Sequence, residues 1–104
     1  MKRTVQWSRE ALDDLKNQVA YIADDNPEAA IRVADKIREV GIALGNTPTG
    51  RQGRVTGTYE KSIYGLPYIM AYAVTHEGDG EVISILRVIH TARDWKADEW
   101  PDRR

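Results

Sequence analysis

The chain has no cysteine among its 104 residues, so disulfides, thiolate metal sites and a cysteine nucleophile are excluded. Histidine is nearly as scarce, with His76 and His90 the only two, and a structural zinc site would need an improbable set of carboxylates to complete it. Nor is there an excess of charge. Fifteen Lys and Arg stand against sixteen Asp and Glu, which argues against a protein that coats nucleic acid through bulk charge and leaves room for a local basic patch. No apolar run approaches the length of a membrane span. The basic residues that open "MKRTVQWSREALDDL" have no hydrophobic stretch behind them, so the expectation is a soluble, cytoplasmic protein. The glycines of "GRQGRVTG" precede a strand, whereas a phosphate-binding loop follows a strand and opens a helix. No dinucleotide fingerprint or Ser-His-Asp arrangement can be assembled. Neither a cofactor nor a metal is expected.

What the chain does have is periodicity that changes along its length. A chain this short builds one modest core, so residues 1–104 are read as a single domain, with a polar tail from about residue 96. Residues 3–7 alternate, with Val5 and Trp7 on one side, and read as a short strand. Ser8 offers an N-cap, after which Ala11, Leu12, Leu15, Val19 and Ile22 recur at helical spacing. Asn26-Pro27 closes that helix and opens another, whose apolar stripe is Ala30, Ile31, Ala34, Ile37, Val40 and Leu44. So short a turn makes the two helices an antiparallel hairpin. Residues 49–57 read as a mobile connecting loop. Three strands follow, within 59–64, 68–75 and 82–89, with a turn at Gly65-Leu66-Pro67 and a hairpin connection over 76–80. The order implies an α+β fold: the helical hairpin lies on one face of a twisted antiparallel sheet, and the other face is the place to look for function.

Five cations fall on or beside these strands: Arg51, Arg54, Lys61, Arg87 and Arg93. Gathered over a concave surface they would hold phosphates or a partner's acidic groups; scattered, they are solvated charges at strand ends. Arg87 lies inside "ISILRVI", where a guanidinium needs a partner, such as Glu60, Asp94 or another carboxylate of the chain. His90 follows the last strand and reads either as a general base or as a residue bonding across a turn. Asp13-Asp14 and Asp24-Asp25 read as a solvated helix face. Tyr59, Tyr64, Tyr68 and Tyr72 suit sheet packing or base stacking, and Trp95 and Trp100 suit a contact surface.

In order, "WSREALDDL", "VAYIADDNPEAA", "NTPTGRQGRV", "GLPYIMAYAV" and "VISILRVIHTARDW" resemble the motifs of toxins of the RelE/ParE superfamily of bacterial toxin–antitoxin modules, closest to the ParE branch. The likeness spans almost the whole chain. It implies a toxin held inactive by a ParD-like antitoxin in a hetero-oligomer, touching operator DNA only through that antitoxin and no membrane. ParE-like members inhibit DNA gyrase by binding, without an established catalytic site; RelE-like members cut mRNA on the ribosome. The nuclease branch usually carries an arginine where this chain has Ile69, and many members end in a catalytic tyrosine in the region where this chain has Trp95. Tryptophan cannot supply a phenolic proton. The resemblance therefore implies a gyrase inhibitor, plasmid-stabilising in type, with Arg51, Arg54, Lys61, Arg87, His90, Arg93 and Trp95 as the target- or partner-binding set. As a nuclease it would use Arg54, Lys61, Arg87 and His90.

Overall fold

A computed structural model of the chain describes residues 3–91. The elements are β1 (Arg3–Trp7), α1 (Arg9–Asp25), α2 (Pro27–Asn46), β2 (Arg51–Gln52), β3 (Tyr59–Ser62), β4 (Tyr68–Glu77) and β5 (Gly80–His90). The five strands form one sheet in the order β1-β5-β4-β3-β2, antiparallel throughout except that β1 runs parallel to β5. This is the α+β arrangement expected from the sequence, two helices on one face of a mostly antiparallel sheet. Three details differ. β4 and β5 run on to a two-residue turn at Gly78-Asp79, because their main chains keep pairing after the apolar alternation fades. Residues 51–52 form a fifth strand on the β3 edge, in a span with too few apolar residues to signal one. The first strand pairs with the last, a parallel contact that no local pattern reveals.

The helical hairpin is set by its caps. Ser8 Oγ accepts the Ala11 N–H at 3.0 Å and opens α1. Asn26 serves both helices: its backbone N–H donates to Ile22 O at 2.9 Å, ending α1, and its Oδ1 accepts the Ala29 N–H at 3.1 Å, opening α2. Pro27 then sits where a missing N–H leaves no bond unmade.

Ala11, Ile37 and Leu44 from the helices pack on Ile63, Tyr68, Met70, Tyr72, Ile83, Ile85 and Val88 of the sheet side, with Val5 and Trp7 partly buried beside them. The apolar stripes read from the sequence were too wide. Leu12 is 50% exposed and Ile31 62%, because each lies about 100° around its helix from Ala11 and Ala30, the neighbours that point inward. α2 comes so close to β1 that a Cβ on Gly41 would stand 2.8 Å from the Trp7 ring and 3.2 Å from Ile85. Gly41→Val should therefore lower stability by about 1–3 kcal/mol through overpacking, read as a lower urea midpoint with an unchanged slope.

Candidate functional site

β1 stops at Trp7, opposite Ile85, while β5 continues to His90. From there on, among the described residues, no strand lies beside the outer edge of β5, and the start of α1 takes that place. The Ser8 N–H donates to Ile85 O at 2.9 Å and the Ser8 hydroxyl to Leu86 O at 2.9 Å. One turn further on, Asp14 accepts the Val88 N–H at 2.9 Å and the Arg87 guanidinium through Nε at 2.7 Å and Nη2 at 2.9 Å. A bulge inserts Leu86 between the residues paired with Ala71 and Tyr72, and such an extra residue re-aims the side chains next to it. The Arg87 and Asp14 side chains are only 15% and 13% exposed. Arg87 thus has the internal carboxylate partner its surroundings demand, and that partner is Asp14. Of the acidic pair read as solvated, Asp13 is exposed and Asp14 is not.

Glu60 instead gathers the arginines of the preceding loop. Only 5% exposed, it accepts the Arg54 N–H at 2.9 Å, Arg54 Nε at 3.0 Å, and Nη2 of both Arg54 and Arg51 at 3.5 Å. Burial pushes the Glu60 carboxyl upward, but the side-chain and backbone bonds from Arg54 and the charges of Arg54 and Arg51 outweigh it, and the pKa lies below its ordinary 4.5. The span from 49 to 58 is therefore held down along its length, in contrast to the mobile connection read from its glycines. Gly50 adopts φ 129°, a conformation glycine tolerates, where a Cβ would press on the Glu60 backbone. The Tyr72 hydroxyl, kept protonated by burial and by its neighbour Tyr59, donates to Thr49 O at 2.6 Å.

Among the described residues, the cations picked out in the sequence, Arg51, Arg54, Lys61 and Arg87, do not converge on one surface. Strand register puts Lys61 opposite Met70 of the main core, on the helix side of the sheet, and Glu60 with its arginines opposite Ala71, on the far side. His90 meets Tyr68 edge-on, with ring centroids 5.3 Å apart, in a hollow of about 770 Å³ shared with Asp14, Asn17, Gln18 and Tyr21. Arg93 and Trp95 lie outside the described residues. Among the described residues no set of three His, Asp or Glu is placed to hold a metal, and no helix is long and apolar enough to cross a membrane. The sequence implied an apolar groove near the hairpin without naming its residues; the structure has one of about 760 Å³ on the hairpin's outer side, with Leu12, Leu15, Val19 and Ala34 between Arg9, Lys16 and Arg38. Its signal was present in Leu12, an apolar residue beside the inward Ala11 that has no inward position of its own.

Removing Asp14 leaves a guanidinium and an N–H without their acceptor, so Asp14→Ala should cost on the order of 3 kcal/mol in chemical denaturation. Asp14→Asn, which keeps an acceptor oxygen, should cost less. Because folding lowers the Glu60 pKa, its stabilisation is complete above the ordinary value of 4.5 and is lost as pH falls through the lower folded value. Thermal melts of the wild type and Glu60→Gln should accordingly differ at neutral pH and draw together under acid.

Comparison with known proteins agrees with this architecture. The family model described as "ParE toxin of type II toxin-antitoxin system, parDE" matches residues 5–95. A Sinorhizobium fredii protein named "Putative toxin Y4kP" is 34% identical over 95 residues, spanning 90% of this chain and 94% of that protein. Among solved structures, one titled as the chromosomal ParDE TA system from P. aeruginosa superposes with a TM-score of 0.76 at 24% identity, covering 86% of this chain and 96% of that one. A YoeB/ParE toxin from Agrobacterium tumefaciens superposes with a TM-score of 0.57 at 18% identity, covering 86% and 98%. At those identities the two structures establish the fold.

Proposed function

The chain belongs to the ParE toxin family of type II toxin–antitoxin systems, and on that premise we propose that it arrests growth by binding DNA gyrase and is neutralised by a ParD-like antitoxin. It acts by contact and not as a hydrolase. The observation that supports this most is the dispersal of the nuclease set. Arg54 stands with Glu60 on the far side of the sheet, Lys61 and His90 belong to the helix side, and Arg87 is turned onto Asp14 at the β5 edge. In-line attack at a phosphodiester needs its base and its charge-stabilising groups around one phosphate, and these four residues do not surround a common point.

The antitoxin's binding segment is an amphipathic helix with acidic flanks. It lays its apolar stripe in the groove of Leu12, Leu15 and Val19, where Arg9, Lys16 and Arg38 supply the complementary charge. Arg51, whose side chain is 66% exposed, takes a further acidic group at the edge of the sheet. The gyrase-contacting surface comprises the exposed cations of the β2–β3 edge and the C-terminal segment bearing Arg93 and Trp95, which is where the sequence concentrates charge and large aromatics together.

Purified chain added to gyrase should inhibit supercoiling or trap cleaved DNA, and prior mixing with the antitoxin should reverse the effect. His90→Ala should leave it unchanged. A folded, growth-arresting chain that leaves gyrase untouched but cuts translated mRNA on the ribosome, with cleavage lost in His90→Ala, would replace this reading with the endoribonuclease.

A further inference from the structure

The outward side of α2 carries two large apolar residues open to solvent: Ile31 is 62% exposed and Ile42 68%. They stand three helical turns apart, about 16 Å along the axis, and within about 20° of one another around it. On the same line between them lie Asp35 and Arg38, whose side chains are each 60% exposed and meet at 3.3 Å. The residues that α2 turns to the core, Ala30, Ala34, Ile37, Gly41 and Leu44, form a separate stripe. Docking the helix on its own sheet therefore uses none of the outer four.

Ile31, Asp35, Arg38 and Ile42 follow one another at intervals of four, three and four, the d-a-d-a seam of a heptad. The line is also symmetric about the point between Lys36 and Ile37, with apolar residues at both ends and opposite charges within. A second copy of α2 laid antiparallel across a two-fold axis at that point sets Ile31 on its Ile42 and Asp35 on its Arg38. Each pair then occurs twice, as an isologous contact requires. A parallel pairing would instead oppose Asp35 to Asp35 and Arg38 to Arg38, so the charges reject it. Within one chain the Asp35–Arg38 bridge is exposed and contributes little. Across two copies the four charges alternate in a closed ring, with an isoleucine pair at either end. A net charge of -1 puts little general repulsion between copies.

We propose that this seam is a homodimer interface, through which the chain self-associates by antiparallel contact of α2 with α2 of a second copy. The occupant is a second copy because the line is complementary to itself in both charge and apolarity. Four side chains from each copy make a small contact, well below that of a permanent dimer, so association is weak and depends on concentration. Arg38 also lines the outer groove, which places the seam beside it. The seam does not depend on which target the chain has.

Sedimentation equilibrium of the purified full-length chain over a range of concentrations tests this. The wild type should show a reversible monomer–dimer equilibrium. Arg38→Asp, and equally Asp35→Arg, should weaken it roughly tenfold or more, because each turns two attractions into two repulsions. The double reversal Asp35→Arg/Arg38→Asp should restore it, which a loss caused by misfolding would not allow. The lack of native cysteine permits a direct check of orientation. An Ile31→Cys copy mixed with an Ile42→Cys copy should form a disulfide-linked pair under mild oxidation, and Ile31→Cys alone should not. A wild-type chain that stays monomeric up to about 1 mM, where even a contact of millimolar affinity shows, would overturn the proposal. So would a dimer indifferent to the single reversals, one that the double reversal fails to restore, or cross-linking of Ile31→Cys to itself.

Discussion

The structure depends on one carboxylate. Asp14 bridges the first helix to the outer edge of the last strand, accepting a backbone N–H and two N–H groups along one edge of a guanidinium within 3 Å. A sheet edge without a neighbour exposes unpaired groups that invite other chains, and β5 would have such an edge from Leu86 onward because β1 is too short to cover it. Ser8 and Asp14 complete the pairing in place of a strand. The same residues fix where α1 starts and the angle at which it leaves the sheet. The position of the hairpin, and of the groove on its outer side, follows from that junction.

Glu60 has a parallel role at the other end of the sheet, and the two carboxylates explain why the arginines do not form an open cationic surface. Each draws nearby guanidinium groups against the protein, in geometry stronger than that of exposed ion pairs because burial limits screening. What remains available to a partner is more restricted: the exposed side of Arg51, the cations around the outer groove, and the apolar side chains between them. Such a surface selects by shape and by a few charges, and suits protein partners better than a phosphate backbone.

The fold was legible in the sequence to the extent that its determinants are local. Ser8, Asn26 and Pro27 mark helix ends by chemistry contained within a few residues, the alternation through Tyr68–Thr75 marks a strand, and the nearly continuous apolar run Val82–Ile89 marks one covered on both faces for part of its length. The parallel pairing of β1 with β5 was not legible, because register between segments so far apart is settled by packing. The Asp14–Arg87 pair was half legible: a guanidinium within "ISILRVI" demanded a partner, yet nothing near it in sequence named the right acid. β2 escaped notice since two polar residues carry no period. The exposure of Leu12 and Ile31 escaped too, because apolar stripes were read as wholly buried when a helix turns about 100° per residue and leaves the flanking positions outside.

The junction between β1 and β5 also sets a timetable. Gln6 and Ser84 bond across 78 residues of chain, so the first strand made is completed by the last. At about 5–20 residues per second of synthesis, β1 waits on the order of ten seconds for its neighbour. The helical hairpin, closed by Asn26 alone, has everything it needs to form much earlier. During that interval its apolar stripe has no sheet to cover it. A ribosome making this protein therefore carries a hairpin with its sticky side open, and the nascent chain acquires its finished surface only once β5 has been made.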